Sequence, residues 1–290
     1  MHSMSLSLAI TPALVVVTAI VYLRGWFSLR NAFPKLIPGW RLAAFIGGLF
    51  SVWTVVGSPL AGLDHQSLTV HMLKHLLLMT VAAPLILTAA PIFPLMCGLP
   101  KLFITGDPPL RNWRARCLEH RPTHSVFCWL AGTAAAIGWH LPVAFQLGMR
   151  FHWVHLLEDV SFLLAGLLFW WPIVESPIGA TNSPRWSMPL YLFLATLPCD
   201  ILSAFLVFCN RLIYPFYLSA PQLFPMTPLQ DQECAGALMW VWVTFAYVIP
   251  AVTITMRMIS PSNTQWQNPI RGRANEVAGQ STSDAETGVL

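Results

Sequence analysis

Long apolar runs separated by short polar breaks dominate the pattern of this chain. Seven runs, at 6–23, 41–57, 66–88, 124–140, 153–174, 189–210 and 234–258, approach the roughly 20 helical residues that cross a hydrocarbon core about 30 Å thick. The predicted fold is therefore all-α, an integral membrane bundle of about seven transmembrane helices occupying residues 1–260. No pair of similar halves, as secondary transporters carry, divides it. The polar stretch at 261–290 has too few apolar residues to form a core and is predicted to be a disordered tail. Small residues suited to close packing mark the fourth run (Gly132, Ala134, Ala135, Ala136) and the seventh (Gly236, Ala237).

Composition agrees, with 56% hydrophobic and only 10% charged residues and a mean hydropathy of +0.60. The first run lacks a basic segment before it, and its first positive charge, Arg24, follows it. It reads as a retained anchor, not a cleaved leader. Basic residues gather between the first and second runs (Arg24, Arg30, Lys35, Arg41), between the third and fourth (Lys101, Arg111, Arg114, Arg116, Arg121), and after the seventh (Arg257, Arg271, Arg273). Held on the cytoplasmic side, they place the N-terminus outside and the C-terminus inside. The net charge of +4 thus reflects loop bias and implies no nucleic-acid partner, and the loop 89–123 can meet anionic headgroups of the bilayer.

That topology gathers the titratable groups. His71 and His75 lie four apart on one face of the third helix, with Lys74 between them. His140 ends the fourth helix, and His152, His155, Glu158 and Asp159 share a flank at the start of the fifth. Asp64 and His65 precede the third helix, and Asp231 and Glu233 start the seventh. All are predicted near the outer face. Ionisable groups at membrane depth are costly and tend to line sites, and converging imidazoles and carboxylates suit copper, zinc, iron or haem. A plain structural reading stands beside this one, in which they form an interfacial hydrogen-bond network. Lys74 would then snorkel outward or pair with Glu158 or Asp159.

Other residues have ordinary readings as well. Asp231 suits the N-cap of the seventh helix, and Trp139, Trp153, Trp170 and Trp171 suit interfacial anchoring. Asp200, mid-way along the sixth helix, reads as a protonated, hydrogen-bonded carboxyl. The cysteines at 97, 117, 128, 199, 209 and 234 show no close pairing. Only Cys209 and Cys234, near the outer surface, are placed where oxidation is feasible.

The segments GSPLAGLDHQSLTVHMLKHLLLMTVAAPLILTAAP (57–91), WHLPVAF (139–145), HLLEDVSFLLAGLLFWWPIV (155–174), LYLFLATLPCDIL (190–202) and PLQDQECAGALMWV (228–241) together resemble the CtaG family of seven-helix proteins that assemble caa-type cytochrome c oxidase. The resemblance implies a multi-pass protein of the bacterial cytoplasmic (inner) membrane that serves maturation of a haem–copper oxidase at the stage of copper loading. The matching polar positions are His71, His75, His140, His155, Glu158 and Asp231. Lys74 stands where a glutamine is expected, and Asp159 where a histidine is common. The second change makes the donor set harder and less suited to Cu(I).

Three function classes fit. One is an assembly factor holding copper through His71, His75, His140 and His155, with Glu158 and Asp159 as ligands or orienting groups. Its partners would be haem–copper oxidase subunits and periplasmic copper chaperones. Another is a haem-binding redox protein, and the third a metal-free structural chaperone. A retinal receptor is excluded because 234–258 has no lysine for a Schiff base. No GxSxG, P-loop or HExxH occurs, and no enzyme is expected.

Overall fold

A computed structural model describes residues 2–32, 38–99, 121–175 and 186–259. The predicted tail at 261–290 and residues 100–120 of the basic loop lie outside the described residues. Among the described residues the chain is helical and contains no strand. Nine helices are numbered here: α1 (His2–Ala32), α2 (Gly39–Val56), α3 (Leu68–Thr88), α4 (Ile92–Gly98), α5 (Arg121–His140), α6 (Pro142–Arg150), α7 (His152–Glu175), α8 (Ser187–Phe208) and α9 (Pro228–Ile259). Short 3-10 turns at Pro59–His65 and Pro215–Leu218 precede α3 and follow α8.

Among the described residues, six helices are long and apolar enough to cross a membrane. The predicted fourth run, 124–140, forms α5, which meets α6 at 73°, and the two count as a span only together. The bend follows from Pro142. A residue before proline is pushed out of the helical region, and Leu141 is extended at φ −65°, ψ 133°. Pro142 then occupies the first turn of α6, where its missing N–H is harmless.

Helix α3 is the axis of the bundle. It packs against α2, α7 and α9, and 61% of its span is buried, against 17% for α2 and for α9. Its middle, Leu77–Ala82, widens into a π-helical turn. Pro84, two residues on, has no N–H to give the Thr80 carbonyl, so the regular ladder is already interrupted there. Trp170 Nε1 of α7 donates to the Met79 carbonyl at 3.0 Å within the widened turn. Trp170 is therefore a buried packing residue and not the interfacial anchor expected of it. Gly166, one turn earlier on α7, makes the close approach possible, since a Cβ there would lie 2.9 Å from Met79.

Helix α8 lies along α9 through Gly236, whose missing Cβ leaves room for the Ser203 carbonyl. Gly132 and Ala136 of α5 are buried as expected, but Ala134 and Ala237 face outward, and Ala235 takes the buried place on α9. A second small core joins α1 and α2, where Tyr22 and Phe45 stack at 3.8 Å. The outer faces carry exposed Phe193, Ile201, Phe245 and Ile249. The interior holds His71, Lys74, Glu158 and Asp231. This inversion of a water-soluble pattern is what a hydrocarbon solvent selects.

Candidate metal centre in the bundle

The start of α3 is held by side chains from two helices. Ser67 is its N-cap. Asp231, one turn into α9, accepts from Ser67 Oγ at 2.9 Å, Leu68 N at 2.6 Å, Thr69 N at 3.3 Å and Thr69 Oγ1 at 2.7 Å. A carboxylate at a helix N-terminus satisfies donors that have no partner within the helix. Asp231 therefore caps α3 and not its own helix as expected. The start of α9 is closed instead by a capping box: Gln230 N donates to Thr227 Oγ1 and Thr227 N donates to Gln230 Oε1.

One turn further along, α3 presents Met72, Lys74, His71 and His75, all buried. Helix α7 opposes them with His155, Glu158 and Asp159, also buried. The 3-10 turn before α3 adds Asp64, fully enclosed. Two sets of three ligand atoms converge, each within 4.8 Å of one another: Asp64, His71 and His155, and His71, His75 and Glu158. His71 Nε2 and His75 Nε2 lie 3.4 and 3.5 Å from Glu158 Oε1.

The sets differ in how far their bonding capacity is used. Around Asp64 the polar atoms are saturated. Oδ2 meets the Lys74 ammonium and His155 Nε2 at 2.7 Å, and Oδ1 meets His65 Nδ1 at 2.7 Å. Burial opposes ionisation of Asp64, but hydrogen bonds from His155 and His65 and the charge of Lys74 outweigh it, holding the carboxyl well below its ordinary range. The Asp64 carbonyl accepts from Tyr217. In the second set both nitrogens of His71, both nitrogens of His75 and Glu158 Oε1 are buried with no hydrogen-bond partner. An unpartnered buried polar atom costs about 1–3 kcal/mol. A cation among them would satisfy several at once, and two imidazoles with a carboxylate form a borderline donor set for a divalent transition metal.

The remaining predicted residues are placed as follows. His155 Nδ1 lies 3.2 Å from Glu158 Oε2, so it bridges the two sets. Asp159 sits 3.7 Å from Lys74 and 3.9 Å from His75, outside both sets. Lys74 thus reaches Asp159 as one reading anticipated, though its close partner is Asp64. His140 joins neither set: Nδ1 donates to the Ala136 carbonyl at 2.6 Å and Nε2 faces Met72 Sδ at 3.1 Å. His152 is exposed and apart from the flank it was expected to share. Asp200 takes no part in these contacts, and its Oδ1 has no partner. Cys209 and Cys234 are free thiols.

The loop between α8 and α9 roofs the centre. Tyr214 donates to the His140 carbonyl and packs on Phe145, whose ring lies 5.0 Å from that of His71. Gln232 of α9 holds the loop by accepting from Ile213 N at 2.8 Å. Gly148 of α6 faces Glu158, where a Cβ would lie 2.9 Å from Oε2. Asp64, the tyrosines and Gly148 were not among the predicted site residues.

Residues 20–260 match the family described as cytochrome c oxidase caa3 assembly factor (Caa3_CtaG). Uncharacterized protein Mb0105 of Mycobacterium bovis and uncharacterized protein MT0111 of Mycobacterium tuberculosis are each 25% identical over 278 residues, which is 93% of this chain and 40% of the relative. Uncharacterized protein ML1998 of Mycobacterium leprae is 24% identical over 251 residues, 83% of this chain and 37% of the relative. The chain spans about two fifths of the length of these curated relatives. No solved structure gives a significant match.

Proposed function

From the chain's membership, which residues 20–260 establish, in the family of cytochrome c oxidase caa3 assembly factors, we propose that it handles copper for a haem–copper oxidase. The chain is a multi-pass protein of a bacterial cytoplasmic membrane. The proposed site is the set His71, His75 and Glu158, with His155 and Asp159 orienting it. Copper is the cargo, held by two imidazoles and a carboxylate and passed on to oxidase subunits. The observation that carries this reading is the group of unpartnered imidazole nitrogens buried beside Glu158 Oε1.

The proposed side is the outer one, by the distribution of basic residues. Copper delivered by a periplasmic chaperone would meet the centre there. Haem held by imidazoles from facing helices is the weaker reading: Glu158 contacts both His71 of α3 and His155 of α7, at 3.4 and 3.2 Å, which leaves no space for a porphyrin plane between the two rings. A purely structural role explains the saturated contacts of Asp64 but not the open nitrogens of His71 and His75.

The test is made in cells whose own copy of the gene is deleted. Complementation with the wild-type chain should restore the copper-to-haem ratio of the caa3-type oxidase, and complementation with His71→Ala/His75→Ala should not, although the variant reaches the membrane. A variant that restores the full ratio would defeat the proposal.

A further inference from the structure

His65 stands outside both converging sets, yet among the four imidazoles in ring contact with one another it is the one with substantial access to the surface. Its side chain is 44% exposed, against 8% for His155, 0% for His71 and 5% for His75. The four rings form a file. Centroids lie 5.5 Å apart from His65 to His155, 5.6 Å from His155 to His71, and 4.4 Å from His71 to His75. Asp64 fixes the first two, taking His65 on Oδ1 and His155 on Oδ2, and Glu158 meets the last three.

We propose that His65 is the docking ligand for incoming metal, and that the file His65, His155, His71, His75 conducts an imidazole-seeking transition-metal ion from the surface to the buried centre. The inference rests on the copper reading and adds the route by which copper arrives. Three features of the structure support it. The spacing lets a metal ion keep one nitrogen while it engages the next, so no step strands a bare ion in a low-dielectric interior. The oxidation state does not change: a metal–nitrogen bond to one ring breaks as a bond to the next ring's nitrogen forms, and where that nitrogen carries a proton toward a carboxylate, as His155 Nε2 does toward Asp64 Oδ2 at 2.7 Å, the proton passes to that carboxylate. The Lys74 ammonium lies 3.2 Å from His155 Nε2, but the three carboxylates of Asp64, Glu158 and Asp159 line the same file and outnumber it, which favours a cation along it. The ring of Phe216, 6.1 Å from His65, is the apolar wall beside the opening.

A route and a resting place are separated by kinetics. Full-length protein in detergent is mixed with cupric bis-glycinate, the reaction is stopped with chelator at timed intervals, and retained copper is measured after desalting. His65→Leu should load roughly tenfold more slowly than wild type, in keeping with the effect of a supporting residue at a metal site, and reach the same final copper content. His65→Met, whose thioether is itself a ligand, should recover much of the rate. Wild-type loading in His65→Leu, or slow loading that His65→Met does not relieve, would overturn the route while leaving the copper centre standing. A lowered final content in His65→Leu would also overturn it, by making His65 part of the holding site. No copper retained by wild type would overturn both readings.

Discussion

The ion pair of Lys74 and Asp64 is fully enclosed, and such pairs contribute less by attraction than by the damage of halving them. Removing one partner leaves an uncompensated buried charge and typically costs about 3–5 kcal/mol, whereas replacing both is often close to neutral. Lys74→Met should therefore lower the unfolding midpoint in detergent sharply, and Lys74→Met/Asp64→Asn should regain most of it. Equal losses in the single and double variants would show the pair to be idle. Acid should expose the same carboxyl. A carboxyl held lower in the folded state than its ordinary 3.8 stabilises the fold at pH above that value, and the contribution fades as pH falls through the folded-state value. Wild type should thus lose stability below pH 3.8 through a component absent from Asp64→Asn. His71, His75, His155, Glu158 and Asp159 were legible in the sequence because helical spacing alone puts them on two faces. Asp64 and His65 were legible only as outer-face titratable groups before the third helix, because the approach of Asp64 to Lys74 depends on a 3-10 turn that no periodicity announces.

Spans are easier to read than their ends and bends. Six of the seven predicted runs appear as continuous helices because about 20 apolar residues have one solution in lipid. The fourth run ends at His140 as expected, but the Leu141–Pro142 pair that bends the chain there also starts a second helix, α6, which the apolar pattern did not announce. Helix α4 was hidden in the predicted loop, where seven residues carry too little periodicity. Asp231 teaches the complementary lesson: its place in the first turn of α9 suggested self-capping, but Thr227 and Gln230 had already closed that end. Its true load is α3, the helix that carries His71 and His75. Asp231→Ala should cost about 1–3 kcal/mol for donors left unpaired and loosen the start of α3, visible as faster amide hydrogen exchange at Leu68 and Thr69. Unchanged exchange there would refute the assignment of Asp231 as the anchor of α3.

At the scale of the molecule, the bundle encloses acid, ammonium and imidazole groups at one end of the α3–α7 pair while its exterior stays apolar. A membrane protein bears such groups where they serve a site, and family membership supplies the setting of oxidase assembly, for which copper is the cargo proposed above. Copper, zinc and iron should be measured by mass spectrometry in full-length protein purified after copper exposure, alongside His71→Ala/His75→Ala. The account predicts near-stoichiometric copper in wild type and its loss in the folded variant. Copper absent from folded wild type, or retained undiminished by the variant, would contradict it.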